Sequence, residues 1–128
     1  MEPEIILVDD DPNDAELVRL AAQEIGGLPP IRWLASGEAA LEALLGRRLS
    51  PLLILLDIKM PGMDGFETLR RLRADPIFRN VVVVILTGSD LEADRVEAMN
   101  LGCNLFLTKP ATMSGYYDLI GRIKKLLP

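Results

Sequence analysis

The chain contains no histidine. That removes imidazole metal sites, histidine-based triads and histidine general bases together, so any chemistry runs on carboxylate, hydroxyl and amine groups. Cysteine is almost absent too. Cys103 stands alone, which excludes an intrachain disulfide and fits a reducing compartment. No apolar stretch approaches the roughly 20 residues of a membrane-spanning helix. The N-terminus, Met1-Glu2-Pro3-Glu4, is acidic where a secretory leader is basic. Positive charge is also in deficit: 14 Lys and Arg face 19 Asp and Glu, for a net charge of −5. A nucleic-acid partner, which needs a basic face, is therefore not expected. The two basic clusters, Arg70-Arg71-x-Arg73 and Lys124-Lys125, read as solvated faces of amphipathic helices.

What is present is an ordinary globular composition: 128 residues, 49% hydrophobic and 26% charged. This suits one domain over residues 1–128 with a core of its own. Apolar runs alternate with helix-period segments five times. Ile5 to Val8 is a continuous apolar run, as in a strand covered on both faces. Asp11-Pro12 supplies an N-cap and a first-turn proline for a helix carrying Ala15, Val18, Ala22 and Ile25, and Asp14 adds first-turn charge that complements the helix dipole. Gly26-Gly27 and Pro29-Pro30 end that helix. Ile31 to Leu34 is a second strand, followed by a helix from Ser36-Gly37-Glu38. Leu52 to Leu56 is the third strand. Asp64 and Glu67 read as a capping pair for a helix with Phe66, Leu69 and Leu72. Val81 to Leu86 is the fourth strand, its four valines marking a buried central position. Ser89 and Glu92 read as a second capping box, for a helix with Leu91, Val96 and Met99. Leu105 to Leu107 is the fifth strand, and a last amphipathic helix runs from about Ser114 to Leu127. Cys103 is expected to be buried as a small hydrophobe. Tyr116-Tyr117 is expected to split between core and surface, and Trp33 to be partly buried beside the second strand.

Strict alternation of this kind implies an α/β fold with a doubly wound parallel sheet. Ligands bind such sheets beyond the carboxyl ends of the strands, where strand order reverses. Three apolar runs end in chemistry that belongs together there: Ile5–Val8 runs into Asp9-Asp10-Asp11, Leu52–Leu56 into Asp57, and Leu105–Thr108 into Lys109-Pro110. Two carboxylates about 4 Å apart repel by roughly 4 kcal/mol at an effective dielectric near 20. An acidic cluster of this sort calls for a cation, and an oxygen-only donor set suits Mg²⁺. The edge as a whole reads as a site that binds a divalent cation and handles phosphate.

These motifs, namely Asp9-Asp10, Leu56-Asp57-Ile58-Lys59-Met60-Pro61-Gly62-Met63-Asp64-Gly65, Leu86-Thr87-Gly88 and Phe106-Leu107-Thr108-Lys109-Pro110, resemble those of the response-regulator receiver domains of two-component signalling. The likeness covers essentially the whole chain. It implies a flavodoxin-like (CheY-like) five-stranded sheet with strand order 2-1-3-4-5. Asp10-Asp11-Pro12-Asn13-Asp14-Ala15 and Thr87-Gly88-Ser89-Asp90 further resemble the stand-alone regulators paired with bacterial phytochromes.

The resemblance implies a role for each motif residue. Asp57 is the phosphoacceptor. Mg²⁺ is the cofactor, held directly by Asp10 and Asp57, by Asp9 through water, and by the backbone carbonyl of Lys59. Lys109 pairs with Asp57 and then with the phosphoryl group, while Thr87 and Gly88 bind phosphoryl oxygens. Thr87 and Phe106 form the switch pair, although Phe106 also reads as plain core and lacks the hydroxyl of the commoner Tyr. The peptide before Pro110 is expected to be cis. Met60 and Met63 flank the acceptor loop, where partner contact and turn packing both remain open. The protein implied is a phosphoacceptor switch that catalyses its own phosphorylation and dephosphorylation, rather than an enzyme with a separate substrate. Its partners are a sensor histidine kinase of phytochrome type and a downstream protein target, its expected location is cytoplasmic, and a homodimer through the fourth and fifth helices remains open. With no effector domain after Pro128, the expected output is a changed protein-binding surface. Two alternatives compete. A haloacid-dehalogenase-type phosphohydrolase would have a second Asp where Lys59 stands. A receiver-like interaction module working without phosphorylation would usually have lost an acid or the lysine, and neither is lost.

Overall fold

A computed structural model describes residues 2–128. The elements are β1 (Pro3–Val8), α1 (Pro12–Ile25), β2 (Ile31–Leu34), α2 (Gly37–Leu45), β3 (Ser50–Leu56), α3 (Gly65–Ala74), β4 (Val82–Thr87), α4 (Glu92–Asn100), β5 (Leu105–Thr108) and α5 (Met113–Leu126). The strands form one sheet in the order β2-β1-β3-β4-β5, and every pair is parallel. The chain therefore reverses its direction of strand addition between β1 and β3, and a crevice opens there at the carboxyl edge.

Alternation along the strands sends side chains into two cores. Ile6, Val8, Ile54, Leu56, Val83 and Ile85 pack with Leu44, Leu69, Leu72 and Ala98 of α2, α3 and α4. Ile5, Leu7, Leu53, Leu55, Val84 and Leu86 pack with Val18, Tyr116, Ile120 and Ile123 of α1 and α5. Leu53 to Leu56 are wholly buried in succession, because β3 is the middle strand and is covered on both faces. The valine run of β4 lies one strand away from that centre, though still inside the sheet.

Asp11 accepts the N–H groups of Asn13 and Asp14 with Pro12 in the first turn, and Asp64 accepts from Glu67, so both predicted caps form. The Ser89/Glu92 box does not. Leu91 occupies the N-cap of α4 without a side-chain bond, because the Ser89 hydroxyl is turned to Asp94 instead. Apolar residues also misled on α4: Leu91, Val96 and Met99 are exposed, and Ala98 makes the contact with the core. Arg73 is not on a solvated face either. It donates to the carbonyls of Gly102, Phe78 and Val81 and to Asn104 Oδ1, tying α3 to the β4 and β5 entries. Cys103 and Tyr116 are buried and Tyr117 is exposed, as expected. Trp33 is 38% exposed.

Candidate functional site

Strand register brings the predicted residues together. Val8 pairs with Leu56 and Thr87 with Thr108, so Asp9, Asp57, Gly88 and Lys109 each follow a strand at the same edge. Backbone bonds fix the exits: Asp57 N–H donates to Val8 O at 3.0 Å, and Lys109 N–H to Thr87 O at 2.7 Å. The peptide after Lys109 is trans, contrary to the expected cis form. The chain leaves β5 with its last ladder bond already made and takes the isomer that is lower by about 0.5–1 kcal/mol.

Gly65 lets α3 start hard against this edge. A Cβ there would lie 2.1 Å from Asp57 O and 2.8 Å from Ile58 Cα, a backbone approach that no other residue type permits.

The Lys109 ammonium lies 2.8 Å from Asp9 Oδ2, 2.7 Å from Asp14 Oδ2 and 2.8 Å from Asp57 Oδ2. Its three donors are thereby all engaged. Burial works against its charge, but the bonds from Asp14, Asp57 and Asp9 outweigh that and hold the amine above the ordinary lysine range. Burial pushes the Asp9 carboxyl up, against the pull of Lys109 and of the Asp11 N–H. Asp9 and Asp57 are almost fully buried, whereas Asp10 is exposed. Each of the three offers an oxygen, and these oxygens lie within 4.8 Å of one another. A cluster of hard oxygens, buried at its back and open at its front, fits Mg²⁺ with part of its water shell retained.

In front lies a cleft of about 520 Å³, lined among others by Asp10, Asp57, Lys59, Gly88 and Lys109. A Cβ on Gly88 would meet nothing within 4 Å, so its backbone faces open space. Thr87 is fully buried beneath it, its Oγ1 accepting the Ser89 N–H at 3.4 Å. Phe106 is buried against the core under α2, α3 and α4. Met60 is buried and Met63 packs against the same core, so turn packing accounts for both. Lys59 donates its N–H to Asp57 Oδ1 at 3.3 Å, while its side chain reaches Asp94.

Three site residues escaped the sequence reading. Asp14 is a partner of Lys109 and not merely a dipole charge; its place in the first turn of α1, directly after the acidic loop, was the available signal. Asp94 binds Lys59 and Ser89, which no local pattern announces. Trp33 Nε1 donates to Asp9 O at 2.7 Å, joining β2 to the acidic loop across the sheet.

Among the described residues no helix is long and apolar enough to cross a membrane. Comparison with known proteins agrees with the fold. The profile of the response regulator receiver domain matches residues 5–120. The response regulator PleD of Caulobacter vibrioides is 39% identical over 110 residues, 86% of this chain but only 23% of PleD, so the chain spans under a quarter of that relative. Among solved structures, the Mn²⁺-bound form of response regulator Rcp1 is 29% identical, with 98% of each chain covered and a TM-score of 0.87. The phosphorylated cyanobacterial phytochrome response regulator RcpA is 28% identical over 99% of this chain and 94% of its own, with a TM-score of 0.89. With two buried acids, an exposed third and a lysine gathered at the switch point of a 2-1-3-4-5 sheet, and with 116 of 128 residues inside the matched span, this chain belongs to the response regulator receiver domain family.

Proposed function

We propose that Asp57 accepts a phosphoryl group from the phosphohistidine of a sensor kinase and that the resulting acyl phosphate switches a protein-binding surface. The observation that carries this reading is the single ammonium of Lys109 held between Asp57 and two further acids, at 2.7–2.8 Å from each. A carboxylate oxygen of Asp57 attacks phosphorus in line. The P–N bond breaks, and its electron pair returns to the imidazole nitrogen; the proton already carried by the other ring nitrogen leaves the imidazole neutral. In dephosphorylation a water oxygen attacks the same phosphorus, the P–O bond to Asp57 breaks, and the carboxylate is regenerated beside inorganic phosphate. Asp10 and Asp57 would hold Mg²⁺ directly, with Asp9 through water and the Lys59 carbonyl completing the protein donors. The ion supplies charge neutralisation for the transferring phosphoryl oxygens.

This chain's own contribution is positioning. Lys109 leaves Asp57 for a phosphoryl oxygen while Asp9 and Asp14 keep hold of its ammonium. Gly88 offers an unobstructed N–H and Thr87 a hydroxyl. Thr87 turns toward the phosphoryl group, and Phe106 follows into the space it leaves, which moves the α4–β5–α5 face. The exposed Leu91, Val96 and Met99 of α4 give that face an apolar surface for a downstream target. Likeness to RcpA, a phytochrome response regulator by description, supports a phytochrome-type kinase as the donor. Incubation with acetyl phosphate and Mg²⁺ tests the core claim by intact mass. One phosphoryl group, about 80 Da, should appear on the protein and be absent from Asp57→Asn. Labelling that survives the substitution, or a wild type that stays unlabelled beside a labelled control receiver, refutes it.

A further inference from the structure

Lys59, Ser89 and Asp94 come from three separate segments and meet at the side of the cleft. Asp94 Oδ2 holds the Lys59 ammonium at 3.3 Å and accepts the Ser89 hydroxyl, while Ser89 Oγ accepts the Leu91 N–H at 3.3 Å. The carboxylate is the fixed member: its side chain is 14% exposed, against 61% for Lys59. Lys59 and Ser89 line the cleft in front of Asp57, whereas Asp94 stands in the first turn of α4. That turn has no side-chain cap of its own, so this knot is what tethers it to the rim of the site. Both groups that Asp94 holds, an ammonium and a hydroxyl, are donors that a phosphoryl group takes up strongly.

We propose that Asp94 is a positioning residue for the phosphorylation reaction, holding Lys59 and Ser89 back from the cleft in the unmodified protein and releasing them to the phosphoryl group once Asp57 is esterified. Release leaves the first turn of α4 untied, so the same event that engages the two donors loosens the helix carrying Leu91, Val96 and Met99. The inference rests on the phosphoacceptor role of Asp57. It adds a specific consequence: Asp94 restrains the reaction, and does so through Lys59.

The test is the rate of mass gain with acetyl phosphate and Mg²⁺ in four proteins: wild type, Asp94→Asn, Lys59→Ala and the double variant. Lys59→Ala keeps the backbone carbonyl assigned to the metal. Asp94→Asn should react up to about fivefold faster than wild type, the upper end of what one partly exposed ion pair contributes. The same substitution should lose most of that gain in the Lys59→Ala background. A purely structural role in α4 would show the same effect in both backgrounds. As a second readout, the Asp94 ¹³Cγ resonance of the wild type should move on phosphorylation as its two partners leave. The proposal is overturned by an unchanged or slower Asp94→Asn, by equal acceleration in both backgrounds, or by an Asp94 ¹³Cγ signal that stays in place. A wild type that never gains the mass removes the phosphoacceptor reading itself, and this proposal with it. Normal wild-type labelling with an indifferent Asp94→Asn removes this proposal alone.

Discussion

Replacing Lys109 with Met keeps the length and apolar stem of the side chain and removes its charge from among three carboxylates. The Asp9, Asp10 and Asp57 oxygens lie within 4.8 Å of one another, and two charges at that separation repel by roughly 3.5 kcal/mol at an effective dielectric near 20. Without metal, the folded variant escapes by protonating one of them. At pH 7 that costs up to about 4 kcal/mol for a carboxyl of ordinary pKa near 3.9. Asp9, already pushed up by burial, takes the proton first and brings the loss below that upper limit. This agrees with the roughly 3–5 kcal/mol of breaking a buried pair from one side. For a chain of this size it lowers the melting temperature by roughly 10–15 °C. The sign of the pH dependence follows. Lys109 has a raised folded pKa, so its contribution is fully present below the ordinary lysine value and unchanging between pH 5 and 7. The variant has a raised carboxyl instead, so its folded state gains relative stability as pH falls, and the loss should shrink between pH 7 and pH 5 by up to about 2.7 kcal/mol, the value of one proton held over two pH units. Urea denaturation in EDTA at the two pH values measures both numbers. Added Mg²⁺ should restore part of the loss, because the cation takes the place of the ammonium. A loss below about 1 kcal/mol at pH 7, or one equal at both pH values, would refute the electrostatic reasoning.

Asp9→Asn should behave in the opposite way. Burial raises the folded pKa of Asp9, so its favourable contribution exists at low pH and is lost as pH rises through that raised value. In EDTA at pH 7 the Asn variant should be about 1 kcal/mol more stable than wild type, with the gap closing near pH 3; denaturation showing a less stable variant at pH 7 contradicts this. Gly65→Ala should cost about 3 kcal/mol or more, since its Cβ would meet backbone atoms of Asp57 and Ile58 at 2.1 and 2.8 Å and neither can give way. A thermal midpoint within a few degrees of wild type would show that the α3 entry is softer than described. Arg73→Lys should lose about 2–3 kcal/mol despite keeping the charge, because one ammonium cannot span the Gly102, Phe78 and Val81 carbonyls and Asn104 Oδ1. Urea midpoints that barely move would mean these carbonyls find water readily.

The helices and strands were legible wherever a local rule was decisive. Asp11-Pro12 and Asp64 with Glu67 mark helix starts through bonds spanning two or three residues, and those bonds are present. Continuous apolar runs mark strands buried on both faces, and β1 and β3 are such strands. Failures came where two local options competed. Ser89 has the spacing of a helix cap, but its hydroxyl finds a charged acceptor in Asp94, and a charge-assisted bond outweighs a neutral one. Leu91, Val96 and Met99 have the look of a core stripe. Yet α4 presents Ala98 inward and leaves all three in solvent.

By itself the sequence determined the alternation of elements, the acids and the lysine at strand ends, and hence the edge at which they meet. Each of these follows from propensity, capping and strand burial, which act over a few residues. Tertiary structure alone decided which carboxylates share the Lys109 ammonium, that Asp14 is one of them, that Lys59 is drawn to Asp94, and that Trp33 holds the Asp9 carbonyl. Those partners lie 24 to 100 residues apart in the chain. Their pairing is set by strand order and register, through contacts a few ångströms long that no sequence window contains.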